Sequence, residues 1–117
     1  MTVEADLFNA LATLVPAGGV HPDIAPGQSP RPYITFQQVG GQAVNQLASV
    51  VVGKRNARFQ INCWADSRIA AAALARQVED ALTSSATLRA FVLGAMTAIF
   101  EDELLFYGTR QDFSVWY

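Results

Sequence analysis

The sequence predicts a single α+β domain in the order α-β-β-α-β-β, with an antiparallel sheet and two helices packed on one face. Three observations predict it. Residues 57–65 alternate strictly: Phe59, Ile61, Cys63 and Ala65 share one face, and Arg58, Gln60, Asn62 and Trp64 the other, the period of a half-buried strand. Two other segments carry apolar residues at spacings of three and four, the period of a helix stripe. Strand-like runs come in pairs separated by a helical one, which favours an antiparallel sheet with helices to one side over a βαβ arrangement.

In the first helix Thr2 is placed to cap, with Glu4 and Asp6 in the opening turn, where the helix dipole favours acids. Val3, Leu7, Leu11 and Leu14 form its apolar stripe, and Pro16 with Gly18-Gly19 ends it. Residues 16–32 contain all of the prolines, Pro16, Pro22, Pro26, Pro30 and Pro32. Proline fixes φ and lacks an N–H, so this segment reads as a stiff, extended connection, neither a regular helix nor a central strand. Tyr33 to Val39 is a strand with Ile34 and Phe36 on one face and Tyr33, Thr35 and Gln37 on the other, stopped by Gly40-Gly41. Residues 40–54 read as a long loop. Within it Gln42, Asn45 and Gln46 are loop-like, whereas Val50-Val51-Val52 resembles a strand. Gly53-Lys54 turns the chain into the strand of residues 57–65.

Asp66 is the expected cap of a second helix running to about Ser84, with a stripe of Ala70, Leu74, Val78, Ala81 and Leu82. Leu88 to Val92 is a short apolar link. Two strands follow, near residues 95–103 and 104–117, with Gly108 read as a bulge or kink in the last.

A chain of 117 residues suits one domain. Its 51% hydrophobic and 15% charged residues and its mean hydropathy of +0.21 exclude intrinsic disorder. Eight Lys+Arg against ten Asp+Glu, a net charge of −2, disfavour an electrostatic grip on nucleic acid. No run reaches the roughly 18 apolar residues of a membrane span: Arg89 and Thr97 interrupt the closest, Leu88 to Phe100. The start of the chain is acidic where a signal peptide is basic. No membrane is therefore expected, and a cytoplasm-like compartment suits an unpaired cysteine.

One cysteine and one histidine exclude a disulfide framework, a CxxC pair and an ordinary zinc site. His21 reads as a loop histidine and Cys63, on the inward face, as an inert core thiol. Gly18-Gly19 and Gly40-Gly41 lack the spacing of a phosphate loop and read as turns. No GxSxG, HExxH or Walker pattern occurs. No catalytic, cofactor-binding or metal-binding residue is assigned.

The outward strand faces carry more information. Arg58 and Trp64 on one strand, and Arg110 and Trp116 on the other, put aromatic and guanidinium groups on a polar face, a composition enriched at interfaces. The opposing reading is that a loop or helix of the same chain folds over this face. Phe113, Val115, Trp116 and Tyr117 form an apolar ending expected to be docked. Glu101-Asp102-Glu103, at the turn between the last strands, is either a solvated hairpin tip or an acidic rim.

Three segments together resemble one family, the tail completion (tail terminator, or tail-to-head joining) proteins of long-tailed bacteriophages. They are Val20-His21-Pro22-Asp23-Ile24-Ala25-Pro26 leading into Pro32-Tyr33-Ile34-Thr35-Phe36; residues 57–66 with the helix carrying Ala73-Leu74-Ala75 and Val78; and the ending Arg110-Gln111-Asp112-Phe113-Ser114-Val115-Trp116. The chain departs from the pattern at His21, where an aromatic such as Tyr is typical, and at Asn62-Cys63, where Asp-Val is. The resemblance implies a structural protein with no active site or cofactor. It implies a homohexameric ring at the head-proximal end of the tail tube, in the virion at the head–tail junction. Its partners would be itself, the tail tube protein and the head connector (adaptor or stopper), with DNA passing through without sequence-specific binding and synthesis in the host bacterial cytoplasm. On this reading Trp64, Trp116, Arg58, Arg110 and Val50, Val51 and Val52 contribute to interfaces, and Glu101, Asp102 and Glu103 line or rim the channel. The alternatives are a head-side adaptor or stopper ring, or a small-ligand-binding α+β domain using a pocket between the sheet and the proline-rich loop.

Overall fold

The computed structural model describes residues 2–27, 29–42, 55–102 and 106–117. Among them the chain forms helix α1 (Val3–Ala12), strands β1 (Val20–Pro22), β2 (Tyr33–Gln38) and β3 (Asn56–Ala65), helix α2 (Arg68–Thr83), and strands β4 (Phe91–Val92), β5 (Thr97–Glu101) and β6 (Phe106–Trp116). The sheet runs β1-β2-β3-β6, and β4 and β5 pair with successive stretches of the far edge of β6.

Thr2 caps α1, its hydroxyl accepting from the Ala5 N–H at 3.1 Å. Val3, Leu7 and Leu11 are buried. The helix ends before Leu14, so the next core position falls to Val15, and Leu14 only packs against the core's edge. In α2 the cap is Ser67, not Asp66: the Ser67 hydroxyl accepts from the Ala70 N–H, while Asp66 turns to Arg31. The buried stripe is accordingly Ala71, Leu74, Ala75, Val78 and Leu82. Ala70 is exposed and Ala81 half-buried, because at about 100° per residue both lie just outside one margin of the arc that these five residues span.

The expected element order and the purely antiparallel sheet both need correction. Val20–Pro22, inside the proline-rich connection, is a strand that pairs parallel to β2, with Val20 opposite Ile34. It lies at the sheet edge, where Pro22 can lack an N–H without breaking a ladder. Phe91–Val92, within the apolar link, is the other added strand. The sheet is therefore mixed, and the order is α-β-β-β-α-β-β-β.

The buried cluster joins the apolar faces of α1 and α2 to one face of the sheet: Ile34 and Phe36 of β2, Phe59 and Ile61 of β3, and Phe113 and Val115 of β6. β3 and β6 pair over their whole length, placing Phe59 opposite Phe113 at the centre. The C-terminal residue is held as expected, since Tyr117 and Arg55 exchange both backbone hydrogen bonds, at 2.7 and 2.9 Å.

Candidate functional site

The other sheet face is built from the opposite parity: Tyr33 and Thr35 of β2, Arg58 to Trp64 of β3, and Phe106 to Trp116 of β6. At one end it holds an aromatic group. The rings of Trp64 and Phe106 meet edge-on with centroids 5.0 Å apart, and Tyr33 lies 6.4–6.5 Å from both. Arg31 lays its guanidinium 4.7 Å above the Phe106 ring while its Nε donates to Asp66 at 2.6 Å. With Asp66 73% exposed, that ion pair contributes at most about 1 kcal/mol, and the stacking over Phe106 is what fixes Arg31. Burial, foremost, raises the Tyr33 hydroxyl above its ordinary value; Arg31 opposes the shift and Glu101 adds to it.

Gly108 stands directly opposite Trp64, and the register on either side of it is continuous. It is therefore neither bulge nor kink. A Cβ there would meet the Trp64 ring at 2.5–2.6 Å, so the glycine is the space over which the indole lies.

Over this end runs the crossover from β1 to β2. Together with the sheet it encloses a cleft of about 570 Å³, between Asp23–Gly27 on one side and Thr35, Asn62 and Trp64 on the other. The sheet face is thus covered by the protein's own loop at the Trp64 end. Trp64 is half-buried in intramolecular contacts rather than offered wholly to a partner.

Trp116 shares this face but lies at the opposite end, in register with Asn56, whereas Trp64 is in register with Gly108. Eight residues of extended chain, about 26 Å, separate the two. The tryptophans do not form one patch. Between them Arg58 donates twice to Asp112 Oδ2, at 2.6 and 2.8 Å, and Arg110 is exposed. Val50, Val51 and Val52 lie outside the described residues.

Sequence reasoning placed the strand that is β5 but missed β4 and the exposed apolar residues of this edge. Phe91, Val92 and Leu93 are 62%, 37% and 46% exposed, and Phe100 of β5 is 45% exposed. The break between the strands is anchored by Gln111, which is buried and donates to Glu79 Oε1 at 3.0 Å and to the Gly94 carbonyl at 2.8 Å. Arg68 binds the Gly108 and Ile99 carbonyls, both at 2.7 Å, tying α2 to β5 and β6. A glutamine at an inward position of a strand was the available signal for this edge. Of the acidic cluster, Glu101 ends β5 on the outer face at the mouth of the cleft, and Asp102 is exposed in the turn. Glu103 lies outside the described residues.

His21 stands in the edge strand β1, not in a loop, its ring edge-on to Tyr33 at 6.1 Å. Cys63 is buried on the core face, and burial pushes its thiol up to about 12 against a hydrogen bond with Thr109 that lowers it. The native thiol is expected to resist a maleimide at pH 8 and to react only on unfolding, at a rate set by opening of the fold. Because its folded value exceeds the unfolded one near 9.0, Cys63 favours the folded state fully below pH 9. That contribution is lost progressively as pH rises from about 9 toward 12. Thiol release against urea concentration at pH 8 checks the first point; rapid labelling of native protein would contradict it.

Among the described residues no group of His, Cys, Asp or Glu is placed to hold a metal ion, and no helix is long and apolar enough to cross a membrane. The fold is that of a chain in the virion of a native gene transfer agent particle. The two superpose with a TM-score of 0.59 at 20% identity, over 97% of this chain and 92% of that one. No curated protein matches in sequence. The family model described as tail completion protein gp17 matches residues 7–117, from the middle of α1 through the end of β6. The chain therefore belongs to the tail completion protein gp17 family of bacteriophages, structural proteins of the virion and not enzymes.

Proposed function

We propose that this protein forms a homohexameric ring at the head-proximal end of a phage tail tube, stops the tube's polymerisation there, and joins it to the head connector. The family match over residues 7–117 carries the reading. A ring requires one patch of a subunit to meet a different patch of the next. Phe91, Val92, Leu93 and Phe100, exposed along a sheet edge, support such a contact, because apolar side chains gathered there are costly to leave in water. Trp116, Arg58, Arg110 and the Val50–Val52 segment are proposed as further contact residues, with Trp64 contributing by holding its end of the face in shape. Asp102 and Glu103 of the acidic cluster are proposed to rim the channel, where negative charge keeps passing DNA from adhering.

Negative-stain microscopy of the purified chain, alone and with tail tubes, is expected to show rings and capped tube ends. Tubes that keep growing in its presence would overturn the proposal. Capture of the portal–adaptor complex but not of tail tube protein would move the ring to the head side. In sedimentation, Trp116→Ala and Val51→Asp are expected to weaken assembly, and unchanged assembly in both would remove these residues from the interface. Tight binding of duplex DNA at physiological salt would contradict the acidic rim.

A further inference from the structure

The two edges of the sheet are not equally protected. Beside β1, Gly19 and Asp23 make the backbone bonds to Ile34 and Phe36 of β2, so by alternation Val20 and Pro22 face outward. Pro22 has no N–H to offer there, which blunts that edge. The β5 edge has no such device: residues 97–100 include no proline and no charged side chain. Among the described residues no strand lies against its outer side.

Ladder parity fixes which groups that edge presents. Arg55 and Tyr117 exchange both backbone bonds, so the odd-numbered residues of β6 bond to β3 and the even-numbered ones turn the other way. The Leu93 N–H, donating to the Asp112 carbonyl at 3.0 Å, agrees. Gly108 and Arg110 therefore bond Ile99 and Thr97, which leaves the N–H and C=O of Ala98 and Phe100 directed outward. Both residues are exposed. Their side chains share the helix side of the sheet with their register partners Thr109 and Tyr107, and Ile99 lies on the other side.

This short stretch is complementary to itself. When two copies meet antiparallel about a two-fold axis through Ile99, Ala98 of each stands opposite Phe100 of the other. Each such pair exchanges both backbone bonds and sets a large ring beside a small side chain, while Ile99 meets Ile99 on the opposite face. We infer that β5 pairs with β5 of a second copy in this register, so that the free chain self-associates as a two-fold dimer. The dimer does not depend on the ring reading. Its contact closes at two copies, and a ring made through the same edge must first open it.

Sedimentation of the chain alone, diluted from about 1 mM to about 1 µM, is expected to show a monomer–dimer equilibrium, since so short an edge makes a weak contact. Amide exchange is expected to slow with concentration at Ala98 and Phe100 and to stay unchanged at Ile99, which is already bonded to Gly108. Under air oxidation Ile99→Cys is expected to give a cross-linked dimer and Thr97→Cys none. Equivalent Cα atoms of the two copies lie about 4.5 Å apart at the first position and more than about 13 Å apart at the second. Cys63 is buried and does not compete. A chain still monomeric at about 1 mM, passage from monomer to rings with no dimer, uniform exchange along β5, or equal cross-linking at both positions would each overturn the inference. A dimer that forms no ring even with tail tubes would sustain it and overturn the ring instead.

Discussion

Gly108→Ala is expected to destabilise the protein by about 2–3 kcal/mol in urea denaturation, a large effect for adding one methyl group to a strand. The substitution removes backbone freedom from the unfolded chain, which alone would stabilise by up to about 1 kcal/mol. Against this stands the indole of Trp64, whose ring atoms would lie 2.5–2.6 Å from the new Cβ, with the Ile99 side chain at 3.0 Å. The ring cannot retreat easily, because Phe106 and Tyr33 hold its other sides. The diagnostic comparison is a double-mutant cycle. In a Trp64→Leu background the cost of Gly108→Ala is expected to fall below about 1 kcal/mol, since the obstructing ring is gone. Equal costs in the two backgrounds would show that backbone conformation, and not the ring, requires glycine there.

Phe113→Ala is expected to cost about 3–5 kcal/mol, close to the whole stability of many domains of this size. Phe113 is 0% exposed, faces Phe59 across the central strand pair, and belongs to the cluster that both helices join. Truncation leaves a cavity between the sheet and the helices, and long strands paired along their length cannot collapse into it. Phe59→Ala should cost a similar amount, and the two together less than their sum, because each removal empties part of the same volume. Calorimetry or denaturant titration checks this. A loss below about 1 kcal/mol in Phe113→Ala would mean that the site repacks and the sheet is far more pliable than its register implies.

Much of the fold was legible because its signals are local. The alternation through Phe59, Ile61 and Cys63 required a half-buried strand wherever the strand lay, and the Val3, Leu7, Leu11 spacing required a helix with one buried side. The proline-rich segment was correctly excluded from the sheet's centre. Its short edge strand was missed, because a parallel pairing made at Val20 and His21 depends on where β2 lies and leaves no periodicity in three residues. The choice between Asp66 and Ser67 as cap was likewise not local. Both residues can cap, and Asp66 was drawn away by Arg31, distant in sequence.

The candidate site divides in the same way. Side-chain parity placed Trp64 and Trp116 on one face, and that was right. Parity is blind to position along a strand, so it did not show that the two lie at opposite ends, one beneath the chain's own crossover loop. Gly108 was noticed as an irregularity, but its meaning required knowing which residue stood across the ladder. The cleft is lined by the β1–β2 crossover, β3 and the start of β6, segments remote in sequence, and no pattern in any one of them announces it.

By itself the sequence determined the α+β class, the inward and outward faces of the principal strands, the inertness of Cys63 and the resemblance to tail completion proteins. Each of these follows from spacing, residue chemistry and the order of segments along the chain. The tertiary structure decided the parallel edge strand, the apolar β4–β5 edge, the partial covering of Trp64 and the cleft at that end of the sheet. These depend on which segments meet, and a meeting between distant segments is set by the packing of the whole chain, not by the periodicity of either part.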